Sequence, residues 1–554
     1  MVFGLVLAAG MLQSVAWAGS TVDRYYIKRA MEAIQQRDFE TGAYFLGQEI
    51  QENPTNGYAY AYLAGLCEMM SGYNGAMFIF AKKALPLLPK SEKSLKAGME
   101  ALQAEIFMQA GDTTEAMACW DRALTYDPAS MKQYSNKASA LQSLKDYQSL
   151  YELGDAMVNR NKKTAKEGLS YIVLVSGLNG LKRYDEAIEA AEKGLKIKDL
   201  NKNQQGFLHY LKGRALMGKE EYSAAIQEAM VTASLNTQKG AGLLVDIADK
   251  SDIQPVLDSI EAAFEREPSQ RIWPAAASDI YARHNNHVQA IYQLLRSTKV
   301  SDDPYAYCVA GEYATHYLGD PVMAEELYRK ALEKDSTDAR PWGSLADLYH
   351  DLGRYEEALS AIDEALRLDP EQKRMHISYS IRGRVYLSMH NYPRALEAYQ
   401  RALVSENDKD AWSRIAILHR QMGDEVAAQR MMELGLREMQ NDTTMDMLLA
   451  LGDTVRAKEK APKMVRKETN ANQQYNAACM YSRMNMPEEA MAALRKSLEC
   501  GFRNFHHFAW DDDIDNIREL PEFKALMEEY QAKMKEEQEE LKKLLQNGQL
   551  KMEN

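Results

Sequence analysis

The hydrophobic positions of this chain follow a helical period that stops and restarts at regular intervals. In residues 341–370, large residues stand at i, i+3 and i+7 as Trp342, Leu345 and Tyr349, and a second apolar stripe follows Gly353. This spacing places one apolar stripe on each of two helices. Glycine at the junction tolerates the left-handed conformation that ends a helix. The stretch is therefore predicted to be one antiparallel helical hairpin.

The small residue that begins the second stripe, Ala358, recurs with a period near 34 residues. The positions in register with it are Gly42, Ala76, Ala116, Leu150, Ala187, Ala225, Val256, Ala290, Ala324, Ala395, Ala428 and Ala490. The gap before Ala490 leaves room for one further, degenerate unit. A single hairpin cannot bury both of its apolar faces, so neighbouring hairpins must stack. The pattern predicts an all-α solenoid of about fourteen antiparallel helix hairpins.

The residues at fixed places in this unit resemble the tetratricopeptide repeat, which carries Trp-Leu-Gly-Tyr on its first helix and Ala-Phe-Ala-Pro on its second. The resemblance extends over residues 24–500 and is strongest at 305–440 and 100–130. It implies a right-handed superhelical solenoid with a concave groove lined by the first helices. Such a groove suits a peptide or a partner helix.

The inner positions of the first helices supply the candidate binding residues. Tetratricopeptide domains that clamp a peptide's terminal carboxylate carry recurring Lys and Asn there, and that set is absent here. The inner-face candidates are Asp347, His350, Arg384 and Arg420. They are expected to contact a protein or peptide ligand in the groove, and the alternative is an ordinary ion-paired surface.

The end of the chain departs from the repeat. Residues 501–522 resemble the capping segment that often closes bacterial tetratricopeptide arrays, with an Asp-rich run and several aromatic residues. End repeats need such a cover with a polar outer side. The predicted division is a signal peptide at 1–18, divergent repeats at 19–270, well-matched repeats at 271–440, degenerate and last repeats at 441–500, the capping segment at 501–522 and a helix with a tail at 523–554.

The helix after the capping segment is amphipathic. Its apolar or near-apolar positions are Phe523, Met527, Tyr530, Met534, Leu541 and Leu544, and Glu537 interrupts their 4-3 spacing. About three heptads are enough to consider a coiled-coil partner, and the alternative is a charged helix fading into a tail. Since the helix is tethered near the groove, it also has a high effective concentration for occupying that groove itself.

The first residues predict export. An apolar run at 2–15 precedes Ala16-Trp17-Ala18, the small-x-small pattern of signal peptidase sites. The run is shorter than the ~20 residues that a membrane anchor needs, and no later segment is apolar enough to span. We therefore expect an exported protein, periplasmic or associated with a bacterial envelope.

Net charge argues against nucleic acid as a partner. The formal charge is −13, whereas a nucleic-acid surface needs a basic stripe. The basic cluster at 456–467 is interspersed with acidic residues and is better explained as a solvated helix face.

Five cysteines cannot all pair internally, and their spacing does not suit zinc. Cys479 and Cys500 share one predicted hairpin and are the candidates for a disulfide in an oxidising compartment. His506 and His507, near the acidic run at 511–513, imitate a metal site. Adjacent histidines seldom point at one ion, so the interpretation favoured here is that the carboxylates cap a short helix.

The sequence contains no HExxH, GxGxxG, P-loop or GxSxG motif. No catalytic residue, metal or cofactor is therefore expected. The predicted function is a non-catalytic exported scaffold or adaptor that binds a protein or peptide. The alternatives are a structural subunit of an envelope assembly or polysaccharide-export machine, and the non-catalytic part of an enzyme whose catalytic module lies elsewhere.

Overall fold

The fold was analysed in a computed structural model, which describes residues 25–70, 73–235, 237–301, 303–368, 375–404, 409–439, 444–465 and 470–548. Those residues are helical with short turns, and none of them forms a strand. Successive helices pack as antiparallel hairpins along the described chain, which confirms the predicted all-α repeat architecture. The predicted signal peptide, residues 1–18, lies outside the described residues.

The chain divides into two compact units, residues 1–243 and 244–554. In the N-terminal unit each hairpin packs on its neighbours in the chain. Its hairpins are α1/α2 (Tyr25–Gln35, Phe39–Glu52), α3/α4 (Gly57–Met69, Asn74–Leu87), α5/α6 (Lys93–Gln109, Thr113–Tyr126), α7/α8 (Met131–Ser143, Tyr147–Asp155), α9/α10 (Gly168–Gly180, Tyr184–Leu195) and α11/α12 (Lys202–Gly218, Tyr222–Leu235). Helix α8 continues as one π-helical turn, Ala156–Arg160.

The boundary between the units falls within α13 (Thr237–Ala248), which is followed by α14 (Ile253–Arg266). The following hairpins are α15/α16 (Ile272–Arg283, His287–Ser301), α17/α18 (Pro304–Tyr313, Pro321–Lys334), α19/α20 (Ala339–Asp351, Tyr355–Leu368), α21/α22 (Met375–Ser388, Tyr392–Val404), α23/α24 (Lys409–Gln421, Glu425–Met439), α25/α26 (Met445–Ala450, Thr454–Val465) and α27/α28 (Ala471–Arg483, Pro487–Glu499). Helix α17 ends in a π-helical turn, Ala314–Leu318.

After the last hairpin come α29 (Phe505–Trp510), a 3₁₀ turn (Asp512–Ile514), α30 (Asp515–Arg518) and α31 (Pro521–Asn547). Helix α31 is the longest helix among the described residues. Its first half packs on the last hairpin through Phe523, Leu526 and Tyr530. Its second half packs on α16 and on the π-helical turn after α17, and Leu541 and Leu545 belong to the core cluster of that region.

The turn between the two helices of a hairpin has a repeated left-handed residue. Gly111, Gly353 and Gly423 have φ of 81°, 70° and 82°, and Gly452 has φ of 70° in the degenerate unit before α27. Elsewhere the same place is held by a residue with a side chain, as at Lys145 (φ 56°). The sequence therefore identified the turn correctly where glycine marks it, but the turn forms without glycine as well.

The predicted small residues of the second helices are almost all buried. Ala116, Ala187, Ala358 and Ala428 have no exposed surface. The register was wrong in α4, where Ala76 is only half-buried and the next residue, Met77, fills the core position. The reason is that α4 carries apolar residues on several sides, so its sequence does not distinguish the two registers.

The cysteines are unpaired thiols, including Cys479 and Cys500, so the candidate disulfide is not formed. No helix among the described residues is long and apolar enough to cross a membrane.

Candidate functional site

In the C-terminal unit, segment 501–522 lies against the ends of first helices that belong to distant hairpins. The backbone N–H of Arg503 donates to the carbonyl of His316 at 2.6 Å. The Asn504 amide donates to the Asp351 carboxylate at 2.6 Å. Trp510 meets the ring of His350 edge-on, with 4.3 Å between ring centroids. The segment therefore covers the inner ends of α17 and α19 besides closing the last hairpin.

His507 joins this segment to the repeats. Its Nδ1 lies 3.2 Å from an oxygen of Asp351 and its Nε2 lies 3.4 Å from an oxygen of Asp511. Burial alone would lower the pKa of His507, but the two carboxylates raise it to about 9. Burial likewise opposes the charge of Asp511, yet His507 and the hydroxyl of Tyr475 lower its pKa to about 2. At neutral pH this is a carboxylate–imidazolium–carboxylate cluster.

Arg503 is almost completely buried, at 1% exposure, and forms the second connection. Its guanidinium donates to both carboxylate oxygens of Glu537 in α31, at 2.8 and 2.9 Å. It also donates to the carbonyls of Leu498 and Phe502 and lies over the ring of Tyr530. A bidentate pair with further hydrogen bonds is the geometry that a buried ion pair needs. Glu537, which breaks the heptad pattern, therefore ties α31 to the capping segment through Arg503.

The far half of α31 is fixed where α17 turns into α18. The Gln538 amide donates to the carbonyl of Leu318 at 3.0 Å. Gly319 has φ of 60°, and a Cβ there would lie 2.4 Å from the sulfur of Met534 and 2.5 Å from the carbonyl oxygen of Arg503. Glycine is needed at this turn both for its backbone conformation and for the close approach of α31. The apolar side of the predicted coiled-coil helix is thus used within its own chain, and the helix does lie against the repeats.

The four predicted groove residues lie in different environments in the structure. Asp347 and Arg384, on successive first helices, form an ion pair and are both partly exposed. Arg420 pairs instead with Glu425 at 3.1 Å and donates to the carbonyl of Ala450. His350 is 1% exposed beneath Trp510, and its Nε2 is 2.9 Å from the hydroxyl of Ser388. His350 is therefore not an accessible groove residue, whereas a ligand role for the other three stays a prediction.

The two adjacent histidines of the apparent metal motif point in different directions. His506 is exposed, while His507 points inward to the two aspartates. Asp511 accepts the N–H of Asp513 at the start of the 3₁₀ turn, the local capping role that the acidic run suggested. Within the described ranges, no group of three or more His, Cys, Asp or Glu side chains is arranged to hold a metal ion.

A cavity of about 790 Å³ remains between segment 501–522 and the first helices of the last hairpins. Its walls include Arg384, Arg414, Asp446 and Arg483 from four successive first helices. Segment 501–522 contributes His507, Trp510, Asp511 and Asp513. Segment 501–522 therefore leaves part of this unit's first-helix face uncovered.

The first-helix face of the N-terminal unit carries a different set of groups. Glu68 on α3 and Glu105 on α5 interact, and burial with their mutual repulsion raises the pKa of Glu105 to about 7 against the opposing effect of Lys132. The Asn136 amide of α7 lies 3.5 Å from Glu105. Farther along α7, Ser139 and its neighbours on that face are exposed.

Sequence reasoning missed Asp351, Arg503 and Trp510 as the groups that bind segment 501–522 to the repeats. The one available signal was Glu537, a charge in the middle of an apolar stripe that called for a buried cation. The distance in sequence between Asp351 and His507 hid their contact, because a repeat pattern specifies neighbouring hairpins only.

Comparison with known proteins agrees with the repeat geometry. Family models described as tetratricopeptide repeat match residues 317–378, 382–428 and 474–499. The chain therefore contains tetratricopeptide repeats. It is 24% identical over 266 residues to tetratricopeptide repeat protein 37 of Xenopus laevis, covering 45% of this chain and 16% of that protein. It is 42% identical over 59 residues to a TPR repeat-containing protein of Methanocaldococcus jannaschii, covering 10% of each. The tetratricopeptide match thus spans a small part of these relatives.

Two solved tetratricopeptide-type structures align with most of this chain. The Cut9–Hcn1 hetero-tetramer structure has a TM-score of 0.30 at 14% identity, covering 89% of this chain and 97% of that one. Yeast Tom70 has a TM-score of 0.33 at 14% identity, covering 81% and 98%.

Proposed function

We propose that this tetratricopeptide repeat protein is a non-catalytic scaffold that binds a protein or peptide partner on the first-helix face of its N-terminal unit. The supporting observation is that the first-helix faces of the two units differ in what covers them. In the C-terminal unit the chain's own segment 501–522 contacts the ends of α17 and α19 on this face, whereas the first-helix face of the N-terminal unit presents half-buried and exposed polar side chains.

The carboxylate pair Glu68 and Glu105 suggests the chemistry of that partner. One oxygen of Glu68 is buried without a hydrogen-bond partner, and the raised pKa of Glu105 shows that its charge is poorly compensated. A lysine or arginine of the partner would supply the missing positive charge and hydrogen bonds. The partner is therefore expected to present a basic side chain to α3 and α5.

The second part of the proposal is location. The apolar run and the Ala-Trp-Ala site in the first 18 residues support export to a bacterial envelope. Expression in a bacterial host followed by amino-terminal sequencing tests this: a mature chain beginning at Gly19 in the periplasmic fraction is expected. An uncleaved chain in the cytoplasm would contradict it.

Photocrosslinking tests the binding face in native cells. A benzophenone amino acid is placed at Ser139 or Gln142 on the proposed face, and at Thr125 or Glu189 on second helices as matched controls. All four positions are exposed. One recurring protein adduct from the first pair but not from the controls is expected.

The glutamate variant completes the test. Glu105→Gln is expected to weaken capture of that protein at least about tenfold, because a hydrogen-bonded charge pair is lost. Equal adducts from both faces, or capture that does not change in Glu105→Gln, would contradict the proposed face and its chemistry.

A further inference from the structure

The first-helix face of the N-terminal unit has a column of equivalent positions that runs across its hairpins. In each hairpin this position lies eleven residues before the residue that marks the buried register of the second helix. The buried residues that serve as the reference are Ala116, Leu150, Ala187 and Ala225. The column is formed by Glu105, Ser139, Ser176 and Arg214, on α5, α7, α9 and α11, and each of these helices contacts the next. All four side chains are at least partly exposed. The column therefore has an acidic end, an uncharged middle and a basic end.

Glu105 forms the acidic end together with Glu68 of α3. Burial and the negative charge of Glu68 raise the pKa of Glu105 to about 7, although the charge of Lys132 opposes this. A cation brought to this place would favour the ionised carboxylate. This is the end of the column that receives the basic side chain of the proposed partner.

The basic end combines two cations with two aromatic rings. Arg214 is exposed, and its guanidinium donates to the hydroxyl of Tyr210 at 3.2 Å. The ammonium of Lys239, on α13, lies 3.7 Å from the centre of the Phe207 ring and 5.5 Å from that of Tyr210. Burial lowers the pKa of Lys239, so a carboxylate beside it would stabilise its charge. This end of the column therefore favours an acidic group.

Between the two ends the face carries uncharged polar side chains. Ser139 and Gln142 of α7 are exposed, and Ser176 of α9 is partly exposed. Hydroxyl and amide groups both donate and accept hydrogen bonds, as the backbone of a peptide also does. An extended chain can therefore lie across α7 and α9 without meeting a charge on the column.

The number of hairpins sets the length of such a chain. Packed helices lie about 8–10 Å apart, so the three steps from α5 to α11 cover roughly 24–30 Å. An extended peptide advances about 3.3 Å per residue. The two ends of the column are therefore bridged by about seven to nine residues.

We propose that the N-terminal unit binds an extended peptide segment in which a basic and an acidic residue stand about seven to nine residues apart. The basic residue lies against Glu105 and the acidic residue against Arg214 and Lys239. This inference rests on the proposed function, which assigns the face and its acidic end only. A purely basic partner would meet like charges at α11, and such a juxtaposition weakens binding.

Fluorescence polarisation on the full chain tests the charge pattern and its spacing. The probes are fluorescein-labelled peptides of Ser, Ala and Gln, blocked at both termini, that carry one Arg and one Glu separated by three, eight or twelve residues. Two further probes carry two Arg or two Glu at a separation of eight. The Arg and Glu probe with a separation of eight is expected to bind at least about threefold tighter than each of the others.

A charge reversal at the basic end locates the binding. Arg214→Glu, at an exposed position, is expected to bind the two-Arg probe at least about threefold tighter than the Arg and Glu probe, because the α11 end then repels an acidic residue. Lys198→Glu is the matched control. It reverses an exposed charge in the turn after α10, outside the column, and should keep the preference of the unmodified chain.

Three results would overturn this inference. The first is no saturable binding of any probe. The second is binding by the unmodified chain that does not depend on the separation, or that prefers the two-Arg or the two-Glu probe. The third is an Arg214→Glu variant that keeps the preference of the unmodified chain, or a Lys198→Glu variant that changes it equally.

The proposed function fails separately from this inference. If a recurring adduct still forms from Ser139 or Gln142 when the probes give one of these three results, the binding face stands and the charge pattern is wrong. If no such adduct forms, the proposed face is wrong as well.

Discussion

The two units of this chain use the same hairpin for different purposes on their first-helix faces. In the C-terminal unit, buried charged groups bind a segment of the same chain: Arg503 meets Glu537, and His507 lies between Asp351 and Asp511. In the N-terminal unit, the equivalent face holds two carboxylates, Glu68 and Glu105, and their pKa values are raised by burial although the charge of Lys132 opposes this. A repeat architecture therefore does not say whether its groove is open; a few polar residues at the inner ends of the first helices decide it.

The largest expected difference between the two units comes from removing the carboxylate that pairs with the buried Arg503. Glu537→Ala leaves the Arg503 guanidinium without its carboxylate, and a buried charge that loses its partner costs about 3–5 kcal/mol. We expect the C-terminal unit to lose about 3 kcal/mol of unfolding free energy in urea. The N-terminal unit should not change.

Hydrogen exchange measures the effect of Glu537→Ala on each unit separately. Amides of α31 and of segment 501–522 should exchange faster in Glu537→Ala. Glu536→Ala, at an exposed neighbouring position, is the control and should behave as the unmodified chain. Equal exchange in the two variants would show that the ion pair does not hold α31.

Replacing glycine at two of the turns is expected to cause moderate losses of stability that can be compared directly. Gly319→Ala introduces a side chain at positive φ and against Met534, whereas Gly353→Ala introduces one at φ of 70° with nothing within 4 Å. Left-handed backbone costs a residue with a Cβ about 1–2 kcal/mol. Gly353→Ala should show that loss alone by thermal or urea unfolding.

Gly319→Ala should lose more than Gly353→Ala and should also release the second half of α31, as measured by hydrogen exchange. If the two variants lose the same stability and α31 stays protected in both, α31 does not approach Gly319 closely.

The His507 cluster gives this contrast a pH dependence. The pKa of His507 is raised to about 9 by Asp351 and Asp511, so its stabilisation is complete below its ordinary pKa near 6.5. This stabilisation, up to about 3 kcal/mol, is lost as pH rises through about 9. Protection of segment 501–522 against hydrogen exchange, corrected for intrinsic rates, should therefore fall between pH 7 and 10.

His507→Gln should remove this alkaline fall and lower protection at pH 7. His506→Gln, at the exposed neighbour, should keep the profile of the unmodified chain. An alkaline fall that persists in His507→Gln would assign it to another group.

The smallest expected effect lies in the N-terminal unit. The pKa of Glu105 is raised to about 7 from the ordinary 4.5, so the folded unit loses stability as pH rises from about 4.5 to about 7, and the loss is complete above that value. Glu105→Gln removes the charge and should raise the stability of the N-terminal unit at pH 8, by up to about 1 kcal/mol. Urea unfolding at pH 5 and pH 8 measures it, with exposed Glu115→Gln as the control; a destabilised Glu105→Gln variant would contradict the account.

Sequence periodicity predicted the fold far better than the site. Ala358 and its equivalents identified the hairpins, because close helix packing demands a small residue at a constant spacing. The same periodicity cannot identify the contact between Asp351 and His507, since it arises from the way distant hairpins approach each other. His350 had the inward position of a groove residue, but the sequence did not show that Trp510 covers it. Glu537 offered a usable signal, since a charge within an apolar stripe can have a buried partner, but it was interpreted only as an interruption of the 4-3 spacing.

Histidine accessibility tests the central claim most directly. Diethyl pyrocarbonate labelling of the full chain, resolved by mass spectrometry, compares His350 and His287 beneath the terminal segment with His506 on its exposed side. His287 lies 3.1 Å from the carbonyl of Cys500, and burial lowers its pKa to about 4. It is therefore neutral and would react readily if exposed. The account predicts rapid labelling of His506 and protection of His287 and His350 until Glu537→Ala releases the segment. Labelling of His350 and His287 as fast as His506 in the unmodified chain would contradict it.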